Sequence, residues 1–197
     1  MRVVAGTAGG IPLIAPKTDL RPTMDRVKAA IFSSLGEAIV GARFLDLFAG
    51  AGTLGIEALS RGAASAVLVE KDARAVEAIQ RNLVKTKLSG ASVHNLDVFS
   101  YLDRLAKPER FDFILADPPY AKQKEDRNFD PELLTNDALY HALAADGWFI
   151  LEKMPGAKLA IPERWELLRE RRYGATEVAY FQKRRAENSQ ADASDPE

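Results

Sequence analysis

A chain of 197 residues, 47% hydrophobic and 28% charged, is sized for one domain that buries its own core without cross-links. It has no cysteine and only two histidines, His94 and His141, which excludes disulfides, thiolate zinc sites and cysteine nucleophiles and argues against a metal centre. The net charge is −1, no apolar run nears the roughly 20 residues of a membrane span, and no signal-peptide pattern opens the chain, so a cytoplasmic protein is expected.

Residues 2–15 read as two short strands around the turn Gly6-Thr7-Ala8-Gly9-Gly10, a hairpin. A helix is predicted after Pro22, with Thr23 as its N-cap and Val27, Ala30, Ile31, Ser34 and Leu35 on one face. From Arg43 strands and helices alternate. Arg43–Phe48 is an apolar strand ending in a glycine-rich turn, followed by a helix over roughly 53–61. Ala66–Val69 is a second strand, ending at Glu70, and a long helix over about 72–87 turns Ala75, Ala78, Ile79, Leu83 and Thr86 inward. Ser92–Asn95 is a third strand, Phe99–Leu105 a short helix, Phe111–Ala116 a fourth strand, Pro131–Ala144 a helix and Gly147–Leu151 a fifth strand. Trp165–Arg172 and Thr176–Lys183 form an antiparallel hairpin turning at Tyr173-Gly174-Ala175. Such strand–helix units with near-continuous apolar strands imply an α/β fold, a parallel sheet covered on both faces.

Residues 186–197 hold four acids, no basic residue and nothing apolar larger than alanine, which predicts a disordered acidic tail. Without that tail the chain is net +3, and the first 30 residues alone are +3, with Arg2, Lys17, Arg21, Arg26 and Lys28 against Asp19 and Asp25. A second basic cluster comprises Arg169, Arg171, Arg172, Lys183, Arg184 and Arg185. Either could attract phosphates, and either could equally be a solvated face.

Two strings carry chemistry. In the first, Asp46-Leu47-Phe48-Ala49-Gly50-Ala51-Gly52-Thr53-Leu54-Gly55, a strand ends, two glycines admit a ligand to the backbone and a helix opens. Gly50, Gly52 and Gly55, with Glu70 twenty residues on, also fit a dinucleotide fingerprint. Two acids speak against a nicotinamide cofactor. Asp46, just ahead of the glycines, would repel a pyrophosphate and suit an ammonium group, and Asp97, past the third strand, can accept from an adenine amine. Asp46, Glu70 and Asp97 can then serve amine, ribose and adenine in turn at the carboxyl edge of the sheet.

The second string, Asp117-Pro118-Pro119-Tyr120, ends the fourth strand. An exocyclic base amine is a weak nucleophile because its lone pair is delocalised into the ring. The Asp117 carboxylate and the Pro118 carbonyl can accept its hydrogens and aim the nitrogen at a methyl donor. Tyr120 offers a face on which an unstacked base can rest. No metal is needed.

These strings resemble the cofactor and catalytic motifs of amino-methyltransferases. With Arg21-Pro22-Thr23 and Glu57-Ala58-Leu59-Ser60-Arg61-Gly62-Ala63, residues 1–184 resemble the RsmD family of small-subunit (16S) ribosomal RNA guanine-N2 methyltransferases. The resemblance implies a Rossmann-like, seven-stranded class I methyltransferase sheet with helices on both faces and a small N-terminal β-hairpin extension. It implies methylation, from S-adenosylmethionine, of one guanine in assembling 30S particles; the chain divides at 1–20, 21–185 and 186–197, and nothing in it suggests more than a monomer. The cofactor set is then Arg21, Thr23, Asp46, Phe48, Ala49, Gly50, Gly52, Thr53, Glu70, Lys71, Asp97 and Val98, and the catalytic set Asp117 to Tyr120. One departure stands out, since Ala8-Gly9-Gly10-Ile11 replaces a basic stretch usual in that family's hairpin. Lys17, Arg21 and Arg26 can compensate, and Lys122, Lys124 and Arg127 in the loop 121–130 are expected to close over a target base.

The alternatives are a DNA amino-methyltransferase, a protein-glutamine methyltransferase (which typically has asparagine where Asp117 stands) and a catalytically silent RNA-binding assembly factor. His94 reads as strand-end surface, His141 as helical, Trp148 and Trp165 as core, and Asn82 as a helix-surface residue rather than a brace for the cofactor loops.

Overall fold

The computed structural model describes residues 1–15, 24–105, 110–121, 123 and 126–185. Thr23, Arg21, Lys17, Lys122, Lys124 and the acidic tail, each singled out above, lie outside the described residues. Helix α1 (Met24–Leu35) runs into a 3₁₀ turn (Gly36–Ile39). Then come β1 (Arg43–Leu47), α2 (Thr53–Ser60), β2 (Ser65–Glu70), α3 (Ala73–Thr86), β3 (Ala91–Asn95), α4 (Val98–Leu102) and β4 (Phe111–Ala116). The chain continues through α5 (Phe129–Thr135), α6 (Asp137–Ala142), β5 (Leu143–Lys153), β6 (Trp165–Tyr173) and β7 (Thr176–Lys183).

The seven strands form one sheet in the order β3-β2-β1-β4-β5-β7-β6. Strands β1 to β5 are parallel, and β7 enters antiparallel between β5 and β6. The order reverses between β1 and β4, so a crevice opens at their carboxyl ends. Alternation along the strands divides the core. Phe44, Leu68, Phe113 and Tyr180 meet α1, α2 and α3 on one face. Leu45, Leu47, Ile114 and Phe149 meet α4, α5, α6 and Trp165 on the other. Trp165 is fully buried and Trp148 packs at the edge of the first cluster, as expected of core residues.

Three expectations need correction. The single helix over 131–144 is two, because Asn136 is extended (φ −72°, ψ 119°). It ends α5 and caps α6 by accepting from the Leu139 amide at 2.8 Å. Its last two residues, Leu143 and Ala144, belong to β5, which starts earlier than Gly147 and carries a register irregularity opposite Phe111–Phe113. Residues 2–15 make a narrow hairpin with one antiparallel bridge, Arg2 to Pro12, rather than two strands. Its hold comes from α2. There the buried Glu57 accepts from the Val4 and Ala5 amides at 2.7 and 3.0 Å. Ser60 donates to the Ala5 carbonyl at 2.6 Å and accepts from the Ala8 amide at 3.0 Å. The approach is so close that a Cβ on Gly6 (φ +83°) would stand 1.8 Å from the Ser60 carbonyl oxygen.

Candidate active site

A cavity of about 370 Å³ occupies the crevice at the carboxyl ends of β1, β2, β3 and β4. Its floor is the turn after β1. Phe48 adopts φ +61°, unusual for a side-chain-bearing residue and common where a loop is shaped for a ligand. Gly52 follows at φ +76°, where a Cβ would crowd Leu68 and Ile79 at 3.0–3.2 Å. The turn is tied on three sides. The Ala49 amide donates to the Val69 carbonyl at 2.9 Å, the Gly52 amide to the Ala49 carbonyl at 2.7 Å and the Gly50 amide to Glu70 Oε2 at 2.8 Å.

The last of these bonds bears on the ligand. In a dinucleotide site the glycine-loop amides face a pyrophosphate. Here Glu70 already occupies one of them, and its other oxygen accepts from the Asp72 amide at 2.8 Å. Glu70, Asp97, Asp117 and Glu152 all line the cavity, with Lys71 as the cation among them. A wall of carboxylates repels a diphosphate and suits a ligand with cationic ammonium and sulfonium groups. Asp97 caps α4, its Oδ1 accepting from the Phe99 and Ser100 amides at 3.0 and 3.3 Å, and the residue lines the cavity.

Asp46 is placed otherwise than expected. It is the fourth residue of β1, and strand alternation turns its carboxylate under α2, where Oδ2 accepts from the Gly55 amide at 2.8 Å. It is 1% exposed and off the cavity wall, and its Oδ1 has no partner. Burial pushes its carboxyl up to about 7, against the Gly55 hydrogen bond, with the charges of Asp117 and Glu70 adding to the rise. Gly52 also lies behind the lining. Phe48, Ala49, Gly50, Thr53, Glu70, Lys71, Asp97 and Val98 stand on it as expected.

Asp117, Pro118, Pro119 and Tyr120 form the opposite wall, directly after β4. The Tyr120 hydroxyl lies 3.2 Å from Thr176 Oγ1 at the start of β7, which fixes the ring beside the cavity. Thr176, Glu152, Phe129, Leu96, Ala51 and Met1 are lining residues that sequence reasoning missed. Glu152 is the penultimate residue of β5 and follows from the carboxyl-edge rule that located Glu70. Met1, Phe129 and Thr176 arrive through long-range packing and carry no local signal.

Arg127, expected in a mobile basic loop, is engaged. It donates to both Glu132 oxygens at 2.9 and 2.6 Å and lies 4.6 and 4.8 Å from the Phe99 and Phe129 rings. The second basic cluster is divided likewise. Arg169 stacks 4.3 Å from the Tyr180 ring, Lys183 donates to the Leu143 carbonyl, Arg184 to the Glu163 carbonyl and Arg185 to Asp146. Arg171 and Arg172 are exposed where β6 turns back beside Thr176, with Arg172 Nε donating to the Gly174 carbonyl at 3.2 Å.

Asn82 is fully buried, not on the helix surface. Its Nδ2 donates to the Ala51 and Ile14 carbonyls at 3.1 and 3.0 Å, and its Oδ1 accepts from the Ile14 amide at 2.7 Å.

This strand order, with its antiparallel seventh strand and a crevice walled by acids after successive strands, belongs to the class I S-adenosylmethionine-dependent methyltransferases. The model of a family described as conserved hypothetical protein 95 matches residues 1–182. The chain is 39% identical over 190 residues to the putative rRNA methyltransferase YlbH of Bacillus subtilis, covering 93% of this chain and all of that one. It is 33% identical to ribosomal RNA small subunit methyltransferase D of Escherichia coli, covering 98% and 94%. A solved structure described as the putative methyltransferase yhhF from Escherichia coli superposes with a TM-score of 0.75 at 33% identity, over 93% and 97% of the two chains. The putative methyltransferase SMU.776, complexed with SAH, shares the fold at a TM-score of 0.67 and 16% identity, over 82% and 50%. The chain belongs to the conserved hypothetical protein 95 family, the RsmD family of methyltransferases, and its cofactor is S-adenosylmethionine.

Proposed function

We propose that the protein methylates the exocyclic N2 amine of a guanine in small-subunit (16S) ribosomal RNA, in assembling 30S particles, as a monomer. The observation that carries this reading is the placement of Asp117-Pro118-Pro119-Tyr120 on the wall facing Glu70 and Asp97 in one cavity. Ribosomal RNA is favoured over DNA because near full-length relatives bear that substrate in their names. The exposed Arg171 and Arg172 beside the cavity offer phosphate contacts that do not depend on a basic N-terminal turn.

When bound, S-adenosylmethionine supplies an electrophilic methyl group. In this reading Glu70 holds the ribose hydroxyls, Asp97 Oδ2 accepts from the adenine amine, and Phe48, Ala49, Gly50, Thr53, Lys71 and Val98 enclose the rest. Asp46 and Gly52 act from beneath by holding the loop. The methionine end would lie toward Asp117, and the family resemblance assigns Arg21 or Thr23, both outside the described residues, to that end. The target guanine rests on Tyr120, whose ring is steadied by Thr176. The Pro118 carbonyl and the Asp117 carboxylate accept the two amine hydrogens, which turns the nitrogen lone pair toward the methyl group. The carbon–nitrogen bond would form as the methyl–sulfur bond breaks, with S-adenosylhomocysteine as the leaving group, and Asp117 would take the amine proton and pass it to water. The hairpin of residues 1–20 is an RNA-facing extension of the domain at 21–185.

The test is transfer of labelled methyl to naked 16S RNA, to unmodified 30S particles and to duplex DNA, with nucleoside digestion of the product. N2-methylguanosine from RNA or particles, absent with Asp117→Ala, is the expected result. Label in DNA or in another nucleoside would overturn the substrate and leave the class standing.

A further inference from the structure

Cavity, Asn82 and N-terminal arm form a closed circuit of contacts. Ala51 lines the cavity, and its carbonyl accepts from Asn82 Nδ2. The same side-chain amide pairs with both backbone groups of Ile14, as a neighbouring strand would. Next to Ile14, the Leu13 amide donates to the Met1 carbonyl at 3.1 Å, and Met1 is again on the cavity wall. The Asn82 amide is planar and fully buried, with both hydrogens and its oxygen engaged, so neither end of the circuit can move without leaving a buried polar group unpaired.

Other attachments of the arm lack this property. Glu57 and Ser60 grip residues 4, 5 and 8 from α2, and Lys85 Nζ donates to the Pro12 carbonyl at 2.6 Å. None of them touches the Ala49–Gly52 turn. Asn82 touches arm and turn together.

We propose that Asn82 is a positioning residue that makes the N-terminal arm part of the cofactor site, so that cofactor binding and closure of the arm at Ile14 stabilise one another. A cofactor that holds the Ala51 peptide in place also holds the Asn82 amide in the rotamer that pairs with Ile14. An arm seated on Asn82 in turn presents the Ala51 carbonyl its donor before the cofactor arrives. Coupling of this kind is reciprocal. It rests on the cofactor cavity alone and is independent of which base is methylated.

S-adenosylhomocysteine titrations in the absence of nucleic acid, with amide hydrogen exchange on the full chain, test the coupling. In the wild type, saturating S-adenosylhomocysteine should slow exchange at Ile14. In Asn82→Ala the ligand Kd should rise about tenfold, the net scale of losing the one of its three buried hydrogen bonds that reaches Ala51, and Ile14 exchange should no longer respond to ligand. Ser60→Ala loosens the arm while leaving Ala51 held, and should keep the Kd within about threefold of wild type at a lowered Tm. A folded Asn82→Ala with wild-type affinity overturns the proposal. If that variant does not fold, the wild-type exchange decides, since an Ile14 amide indifferent to saturating ligand overturns it equally.

Discussion

The two walls of the cavity are built on different principles. On the cofactor side every acid also holds backbone: Glu70 takes the Gly50 and Asp72 amides, Asp97 those of Phe99 and Ser100, and Asp46 that of Gly55 from below. On the catalytic side the backbone is shaped by two consecutive prolines, whose rings set φ without a partner, and one tyrosine is steadied by a hydroxyl. Under the proposed function, the atoms that would bind ligand on the first wall also hold backbone, whereas the second wall takes its shape from its prolines.

Asp117→Ala should show the separation most strongly. Turnover should fall on the order of 10²–10⁴-fold, the scale of a lost general base, while S-adenosylhomocysteine affinity and Tm stay near wild type. A matching loss of cofactor affinity would break the contrast between the walls.

Asp46 sharpens it through pH. Its folded-state carboxyl sits at about 7 against an ordinary 3.8, so between those values the folded protein keeps a proton that the unfolded chain has lost. Its contribution to stability is complete below about pH 4, is lost as pH rises through about 7, and amounts to a few kcal/mol at most. Without ligand, Tm should decline from pH 5 to pH 8. In Asp46→Asn, which retains an oxygen for the Gly55 amide, the decline should flatten. Parallel profiles would acquit Asp46.

Glu70→Ala should lower cofactor affinity and stability together, by about 1–3 kcal/mol for the amides left unpaired. Calorimetry and thermal melts on one preparation check this, and an affinity loss at unchanged Tm would contradict it. Tyr120→Phe is the mildest change. It keeps the stacking face, loses the bond to Thr176, and should cost about 0.5–1.5 kcal/mol, with turnover within a few-fold of wild type.

The sequence by itself determined the strand–helix alternation, the two-faced burial of the parallel strands, the final antiparallel hairpin and both walls of the cavity. Those are local signals: apolar runs of strand length, a glycine turn opening a helix, and acids or prolines at strand ends. Where local signals were ambiguous, tertiary structure decided. One helical stretch split at Asn136 because its side chain could start a second helix and Leu143 could join β5. Asp46 read as part of the turn, yet strand alternation turned it beneath the loop. Asn82 read as surface because a polar residue on a helix usually is. The folded arm, bringing Ile14 to it across 68 residues, and the Ala51 carbonyl together supply the partners that make its burial stable. Met1, Phe129 and Thr176 reached the cavity in the same way, through contacts distant in sequence, which no pattern of neighbouring residues encodes.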